Sequence, residues 1–199
     1  MIAVVGSHTD TFKFDDFVTK VRVYHDDDPQ SPIYNEMCGH RHLLNNWEQY
    51  SRDVYCGLEH YRRAFDLSPT QIIDILTGVH EVIVKEMHGP YGDNTNLSVL
   101  AGCSRYHINY LPQAQAWVNR WKELRPMANF NQHYGCNMFV ALSHKYKAMA
   151  DDIMSYVEEM LKYPVLPQGI IGYFCETILT PYVITKHNKR IYIARVVQA

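Results

Sequence analysis

The segment Gly57–Phe65 reads GLEHYRRAF and places a carboxylate, an imidazole, a phenol and two guanidinium groups side by side. It overlaps the end of an apolar run, VYCGL, so this charge arrives where a buried strand is expected to end. Charged groups that are buried without partners are costly, so the segment either forms a salt-bridged corner or faces a ligand. Because arginine's rigid fork suits bidentate contacts with phosphate oxygens, we favour Arg62 and Arg63 as an anion site, with His60 beside them.

Polar side chains also follow the two preceding strands that the sequence predicts. Ser7 and His8 come after the first strand, and Asp26 and Asp28 come after the second. Ligands of open α/β sheets lie at the carboxyl ends of strands, where loops and helix N-termini present backbone N–H groups. Two carboxylates separated by one residue suit a divalent ion, Mn²⁺ or Mg²⁺, that bridges a diphosphate. Acidic runs of this kind are also typical of solvated turns, so metal dependence stays open.

Two further polar residues stand in apolar surroundings. Asn137 comes at the beginning of a predicted strand rather than at its end, and Glu176 lies on a predicted helix within GYFCETIL. A half-buried carboxylate can have its pKa raised toward the working pH, which suits a general base. It can equally be a buried acid paired with an arginine. Glu176 is therefore a candidate for a base or for a contact with a substrate hydroxyl.

Helical and strand patterns alternate along the chain, which predicts the α/β class. The strands are read from IAVVG, VRVYH, VYCGL, VHEVIV, CNMFVAL and RIYIARVV, and helices are predicted over residues 34–47, 69–77, 113–124, 143–161 and 168–184. Ser68-Pro69 opens one helix, and Ser143 is expected to cap the longest, whose apolar residues repeat at i, i+3, i+4 and i+7. Residues 88–111 have little periodicity and read as a long surface excursion. We expect a mostly parallel central sheet flanked by helices.

Composition sets the class of protein. The chain has 199 residues, 47% of them hydrophobic and 20% charged, which predicts a single domain over residues 1–199. A net charge of -2 excludes the global basic field of a strong nucleic-acid or anionic-membrane binder. The 5 cysteines form no CxxC pair, which fits a reducing, cytoplasmic setting. No apolar stretch approaches a signal-peptide core or a membrane span.

The segment DVYCGLEHYRRAF resembles DYVGLCHYRRYF, the signature of the DUF4422 family of glycosyltransferases found among capsular and exopolysaccharide synthesis proteins. Weaker blocks match in the same order along the chain. GSHT is similar to the family's THK at His8, and SPIYNEMCGHRHLLNNW is similar to NPNYCELTALYWIWKN at Tyr34 and Glu36. CNMFVALSHKY resembles the NMFI block at Asn137, and GYFCETIL resembles GFLSERL at Glu176. Glu59 departs from the small or apolar residue that is usual before the histidine.

The resemblance implies a GT-A-like single domain that transfers a sugar from a nucleotide-diphosphate sugar, with UDP as the expected nucleotide. In typical GT-A enzymes a DxD motif at a mid-sheet strand end binds a divalent metal on the donor diphosphate, and here EHYRR stands at the comparable place. The implied diphosphate clamp is Arg62 and Arg63, assisted by His60, while Asp26 and Asp28 are the reserve metal ligands. Ser7 and His8 are assigned to the nucleotide. Further contacts with the donor are assigned to Tyr34, Glu36 and Asn137, and Glu176 is assigned as the base.

The acceptor has two interpretations. The family resemblance implies a hydroxyl on a growing surface polysaccharide. The alternative is a phage-type transferase that glycosylates hydroxymethylated bases in DNA, for which the basic and aromatic residues after Glu176 are the sequence support. From a different class, the chain could be a non-catalytic module that binds nucleotide sugars. The sequence leaves the sugar, the stereochemistry and the oligomeric state open.

Overall fold

The computed structural model describes residues 1–12, 20–27, 35–85, 108–125, 137–162 and 170–198. Its strands are β1 (Ile2–Gly6), β2 (Lys20–Tyr24), β3 (Tyr55–His60), β4 (Arg63–Phe65), β5 (Val82–Lys85), β6 (Phe139–Leu142), β7 (Ile191–Ala194) and β8 (Val196–Gln198). Its helices are α1 (Cys38–Asn45), α2 (Trp47–Tyr50), α3 (Pro69–Thr77), α4 (Leu111–Leu124), α5 (Ser143–Met160), α6 (Ile170–Phe174) and α7 (Thr180–His187). A π-helical turn, Cys175–Leu179, joins α6 to α7, and short 3-10 turns span His25–Asp27, Asn35–Met37 and Ile108–Tyr110.

The strands form one sheet with the order β2-β1-β3-β6-β5-β7. β1 pairs in parallel with β2 and β3, and β5 pairs in parallel with β7. β6 lies between β3 and β5 and is antiparallel to both. A short ribbon of β4 and β8 folds back from the end of β3 through antiparallel pairs. The predicted α/β class and mostly parallel sheet flanked by helices are confirmed.

β1 is the strand that the sequence marks most clearly, because its continuous apolar run suits a strand covered on both faces. Ile2, Ala3, Val4 and Val5 are all buried. Gly6 ends the strand where a side chain would not fit, since a Cβ there would lie 2.8 Å from Phe12 Cζ and 2.9 Å from Tyr61 Cβ. The loops after β1 and β3 can therefore approach each other closely over Gly6.

Helices cover both faces of the sheet. The larger core, which includes Trp117, Trp121, Tyr146, Phe139 and Phe174, lies between the sheet and helices α1, α4, α5, α6 and α7. The smaller core on the other face packs Ile72 and Leu76 of α3 with Phe65 of β4 and with sheet residues. α3 begins with the predicted signal, because Ser68 and Gln71 form a capping box. Burial of these apolar faces, at roughly 25 cal/mol per Å² removed from water, stabilises the layered arrangement.

Several predicted boundaries move in the structure. β3 continues two residues beyond the apolar run, so Glu59 and His60 lie within the strand and are buried. Ser143 is the first residue of α5 instead of its cap, and its hydroxyl donates a hydrogen bond to the Asp53 carbonyl. The predicted last strand is divided into β7 and β8. Most of the predicted excursion, residues 88–107, lies outside the described residues.

Candidate functional site

The candidate site lies at the carboxyl edge of the parallel strands. The loops after β1, β2 and β3 all leave the sheet at this edge, because those strands are parallel neighbours. Asn137 reaches the same edge although it precedes its strand, since β6 runs antiparallel to β3 with Phe139 opposite Leu58. The direction of β6 therefore explains why a polar residue at the beginning of a strand belongs with polar residues that follow other strands.

A tight reversal after β3 presents the two arginines. His60 pairs with Arg63 across the turn, and the Arg62 backbone N–H donates to His60 Nδ1 over 3.3 Å. The Tyr61 backbone N–H donates to the Val5 carbonyl over 2.9 Å, which fixes the turn against β1. The exposed Arg62 guanidinium lies over the Tyr61 ring, with its carbon 5.0 Å from the ring centroid. Among the described residues no acidic side chain pairs with Arg62, so its fork can meet an anion.

Glu59 does not occupy either arginine among the described residues. Its Oε2 atom accepts a hydrogen bond from Lys20 Nζ at 2.8 Å, and its Oε1 atom accepts one from the Phe65 backbone N–H at 3.0 Å. Burial raises the pKa of the Glu59 carboxyl, and the charge and hydrogen bond of Lys20 oppose that rise. The Glu59 carboxylate therefore pairs with Lys20 of β2 and accepts a hydrogen bond from the backbone of β4.

His60 pairs with Glu36. The distance from His60 Nε2 to Glu36 Oε1 is 3.0 Å, with 9% of the histidine side chain and 26% of the glutamate side chain exposed. Glu36 belongs to the 3-10 turn before α1, so this contact ties that turn to the arginine segment. The 3-10 turn that carries Glu36 also packs against α6, the helix that leads into the π-helical turn. Burial raises the pKa of the Cys175 thiol on that turn, and the Glu36 charge raises it further.

Ser7 organises the loop after β1. Its backbone N–H donates to Asp10 Oδ2 at 2.6 Å, and its hydroxyl lies 2.7 Å from the Thr9 hydroxyl. The Asp10 backbone N–H donates in turn to the Ser7 carbonyl over 3.1 Å. These local bonds give the loop a defined shape at the carboxyl edge, where the sequence predicts a nucleotide contact.

His8 joins the loop after β1 to the one after β2. Its backbone N–H donates to Asp26 Oδ2 at 2.7 Å, and its Nε2 atom lies 2.6 Å from Asp27 Oδ1. The ring stacks on Tyr24 with the centroids 4.1 Å apart. Asp26 is therefore already used by His8, and its predicted metal partner Asp28 lies outside the described residues, as does Tyr34. In the described part of the chain, no three His, Cys, Asp or Glu side chains form a metal-binding group.

Asn137 and the π-helical turn meet at the same edge. Asn137 is fully buried and has a positive φ of 54°, a conformation that asparagine tolerates better than most residues. The Thr180 hydroxyl donates to its Oδ1 atom over 2.9 Å, while its Nδ2 atom has no hydrogen-bond partner among the described residues. Glu176 is half-buried on the π-helical turn and already takes part in a polar interaction. π-Helical turns inside helices are frequent at functional sites.

The structure brings some of the residues that the sequence singled out into contact. Glu36, His60 and Arg62 are linked by direct contacts, and the 3-10 turn that carries Glu36 packs against α6, the helix that leads into the turn with Glu176. Ser7 and His8 lie on the neighbouring loop and do not contact Arg62 through any described hydrogen bond. Sequence reasoning missed Lys20 and Thr180. Nothing in their own segments signals a partner, because the contacts join residues far apart along the chain.

Comparison with known proteins gives a glycosyltransferase fold. No protein-family model matches the chain, and no curated protein matches it. Among solved structures, the chain is similar to the apo structure of WbbM, described as a bifunctional glycosyltransferase, with a TM-score of 0.70 and 13% sequence identity. The match covers 100% of this chain and 45% of WbbM, so the chain spans less than half of that protein's length. The chain shares the fold of a glycosyltransferase, as the predicted GT-A-like class required.

Proposed function

We propose that this protein is a glycosyltransferase that moves a sugar from a nucleotide-diphosphate sugar, with UDP as the nucleotide, to a hydroxyl of a surface-polysaccharide glycan. The observation that carries the proposal is the Arg62 guanidinium, exposed at the carboxyl edge of a glycosyltransferase-like sheet and unpaired with any acid of the described chain. The glycan acceptor rests on the family resemblance alone.

The chemistry of sugar transfer explains why arginines suit this position. The bond from the anomeric carbon to the diphosphate breaks with its electron pair on the diphosphate oxygen, so negative charge develops there in the transition state. Preorganised cationic donors that face this oxygen lower the barrier. Arg62 supplies such a donor directly. Arg63 is half-buried on β4 and already takes part in an interaction, so it supports the turn and assists.

A metal remains compatible with this proposal. Asp26 would be the described residue to hold Mn²⁺ or Mg²⁺, although one of its oxygens accepts the His8 N–H. A bound metal would add positive charge on the donor diphosphate. The contribution of the chain itself is the same in either case, because Arg62 binds the leaving group from the β3–β4 turn.

Replacement of the arginines tests the clamp. Arg62→Ala is expected to lower turnover by roughly 10²–10³-fold, the usual cost of removing one charge-stabilising donor, and Arg63→Ala by a smaller factor. UDP release from a panel of UDP-sugars measures this, with circular dichroism to check the fold. Arg52→Ala is the matched control, because Arg52 is an exposed arginine just before β3, at the opposite edge of the sheet. Near-normal turnover by both Arg62→Ala and Arg63→Ala would contradict the proposed diphosphate clamp.

Donor binding distinguishes an enzyme from a binding module. A ligand that binds only the folded state raises the melting temperature, so a thermal-shift screen of UDP-sugars, with and without Mn²⁺, is expected to find a donor. Release of UDP with sugar transfer supports the enzyme. A donor that binds and is never hydrolysed or transferred would favour the non-catalytic module.

A further inference from the structure

Both ring nitrogens of His60 have a neighbour in the structure. His60 Nδ1 accepts the Arg62 backbone N–H, so that nitrogen carries a lone pair. The other ring nitrogen, Nε2, lies 3.0 Å from Glu36 Oε1. Both nitrogens of His60 are engaged, and the ring is buried. His60 therefore has no nitrogen left to take a proton from a substrate in this arrangement.

Glu36 differs from His60 in its exposure to solvent and in how many of its polar side-chain atoms are already engaged. Its side chain is 26% exposed against 9% for the histidine, and only Oε1 is engaged by His60. Among the described residues, no hydrogen bond or ion pair engages Glu36 Oε2, whereas Glu176 on the π-helical turn already takes part in a polar interaction. The histidine ring therefore lies beside the carboxylate, which is the arrangement in which a second residue usually positions a general base.

We propose that Glu36 is the general base of the transfer reaction and that His60 is a positioning residue that orients it. The inference rests on the proposed glycosyltransferase function. The acceptor O–H gives its proton to Glu36 Oε2, and its oxygen forms the new bond to the anomeric carbon. The anomeric carbon–diphosphate bond breaks, and its electron pair leaves with the diphosphate toward Arg62. Glu176 then has the remaining role that the sequence offered, a contact with a sugar hydroxyl.

Variants of Glu36 and Glu176 test which of the two carboxylates is the base. Glu36→Gln is expected to lower kcat by roughly 10²–10⁴-fold, the usual contribution of a general base, while the melting-temperature shift produced by the UDP-sugar donor stays unchanged. Glu176→Gln, which alters the contact with a sugar hydroxyl, is expected to lower kcat by a smaller factor than Glu36→Gln does. Glu48→Gln is the matched control, because Glu48 is an exposed glutamate on α2. A Glu36→Gln variant with normal kcat, or a Glu176→Gln variant that alone loses it, would overturn the assignment.

His60 variants separate positioning from folding. His60→Gln places an amide N–H near the original Nε2–H, and His60→Asn keeps only an acceptor near Nδ1. We expect His60→Gln to retain more of kcat than His60→Asn, with the same donor-induced melting-temperature shift in both. Equal kcat values for the two variants would contradict the orienting role. Chemical denaturation of both variants shows how much of any difference in kcat follows a difference in stability.

Two further outcomes keep this inference separate from the proposed function. Direct displacement assisted by one base inverts the anomeric carbon, so a product with retained configuration would overturn the base while leaving the transferase intact. If the wild-type chain neither binds nor turns over any UDP-sugar, the proposed function falls, and the assignment of Glu36 falls with it.

Discussion

His40 is a fully buried histidine close in sequence to Glu36, and its role is structural. Its Nδ1 atom lies 2.7 Å from the Tyr146 hydroxyl, and its ring centroid is 5.3 Å from that of Phe139. Burial lowers the pKa of His40 from 6.5 to about 3. The folded protein therefore holds this ring neutral under conditions in which the unfolded chain protonates it.

This difference predicts a loss of stability in acid. The contribution of neutral His40 is fully present above pH 6.5 and is lost as the pH falls from 6.5 toward about 3. Below pH 6.5 the loss is about 1.4 kcal/mol per pH unit. Urea unfolding at pH 7.5, 5.5 and 4.5, chosen to span roughly two units below the unfolded pKa, measures it.

The control for this prediction removes both partners. In His40→Phe/Tyr146→Phe no buried polar group is left unpaired, which is often close to neutral for stability. On acidification, the free energy of unfolding of the double variant should fall less steeply than that of the wild type. The expected difference in slope is the one given above for His40, about 1.4 kcal/mol per pH unit. Parallel curves for the two proteins would show that His40 does not titrate as its burial requires.

At the scale of elements, the contact between Asn137 and Thr180 holds β6 to the helix pair α6–α7. Thr180 follows the π-helical turn, so the extra residue of that turn sets the direction in which the hydroxyl points. The bond satisfies Asn137 Oδ1 and leaves Nδ2 as a buried donor with no partner in the described chain. The asparagine amide is thereby oriented by an element that is distant in sequence.

Thr180→Val tests this contact, because valine keeps the shape of threonine and removes its hydroxyl. Loss of the donor leaves Asn137 Oδ1 unsatisfied, so the free energy of unfolding is expected to fall by about 1–3 kcal/mol. Thr180→Ser keeps the hydroxyl and should therefore retain most of the stability that the valine variant loses. Chemical denaturation of the three proteins gives the comparison, and equal losses in the valine and serine variants would attribute the effect to packing.

The elements that could be predicted from the sequence are those with local signals. The apolar run of β1, the capping box of α3 and the apolar stripe of α5 each lie within one segment, and each element appears where it was predicted. The direction of β6 and the short strand β4 could not be predicted, since both depend on pairing with β3. A resemblance supplied the GT-A-like class, which strand patterns alone do not specify.

The residues of the site also divide into those that the sequence indicates locally and those whose partners are distant in the chain. Arg62 and His60 were found because their types are unusual at the end of a strand. The partner of Glu59 was not found, because Lys20 lies 39 residues earlier in the chain. Glu36 was identified only as a donor contact, and its pairing with His60 became visible once the 3-10 turn was placed against β3.

At the scale of the whole molecule, the charge distribution gives no support to the alternative that the acceptor is DNA. The chain has a net charge of -2. Lys186 Nζ lies 2.7 Å from Asp152 Oδ2 and 3.0 Å from the Tyr156 hydroxyl, so this basic residue is already neutralised. Tyr182 packs edge-on against Trp121 with centroids 5.3 Å apart, which takes it out of any stacking surface for bases. Among the described residues, no helix is both long and apolar enough to span a membrane.

We therefore expect no salt-sensitive binding to duplex DNA that contains hydroxymethylated bases. A protein that neutralises several phosphates loses roughly 10³–10⁵ in affinity between about 50 and 200 mM salt. Fluorescence anisotropy at those two salt concentrations makes the measurement, with unmodified duplex as the reference. Tight binding at low salt that disappears at high salt would favour the DNA-modifying alternative.

The antiparallel strand β6 also determines the order in which the sheet can be completed. Within the described chain it joins β2-β1-β3 to β5-β7, yet it begins at Phe139, long after β3 and β5 have been synthesised. Pairing between segments so distant in sequence slows folding. Until β6 emerges from the ribosome, the backbone edges of β3 and β5 lack their shared neighbour, and unpaired edges can recruit strands of other chains. The nascent protein should therefore be most dependent on chaperones during synthesis of the segment between Lys85 and Phe139.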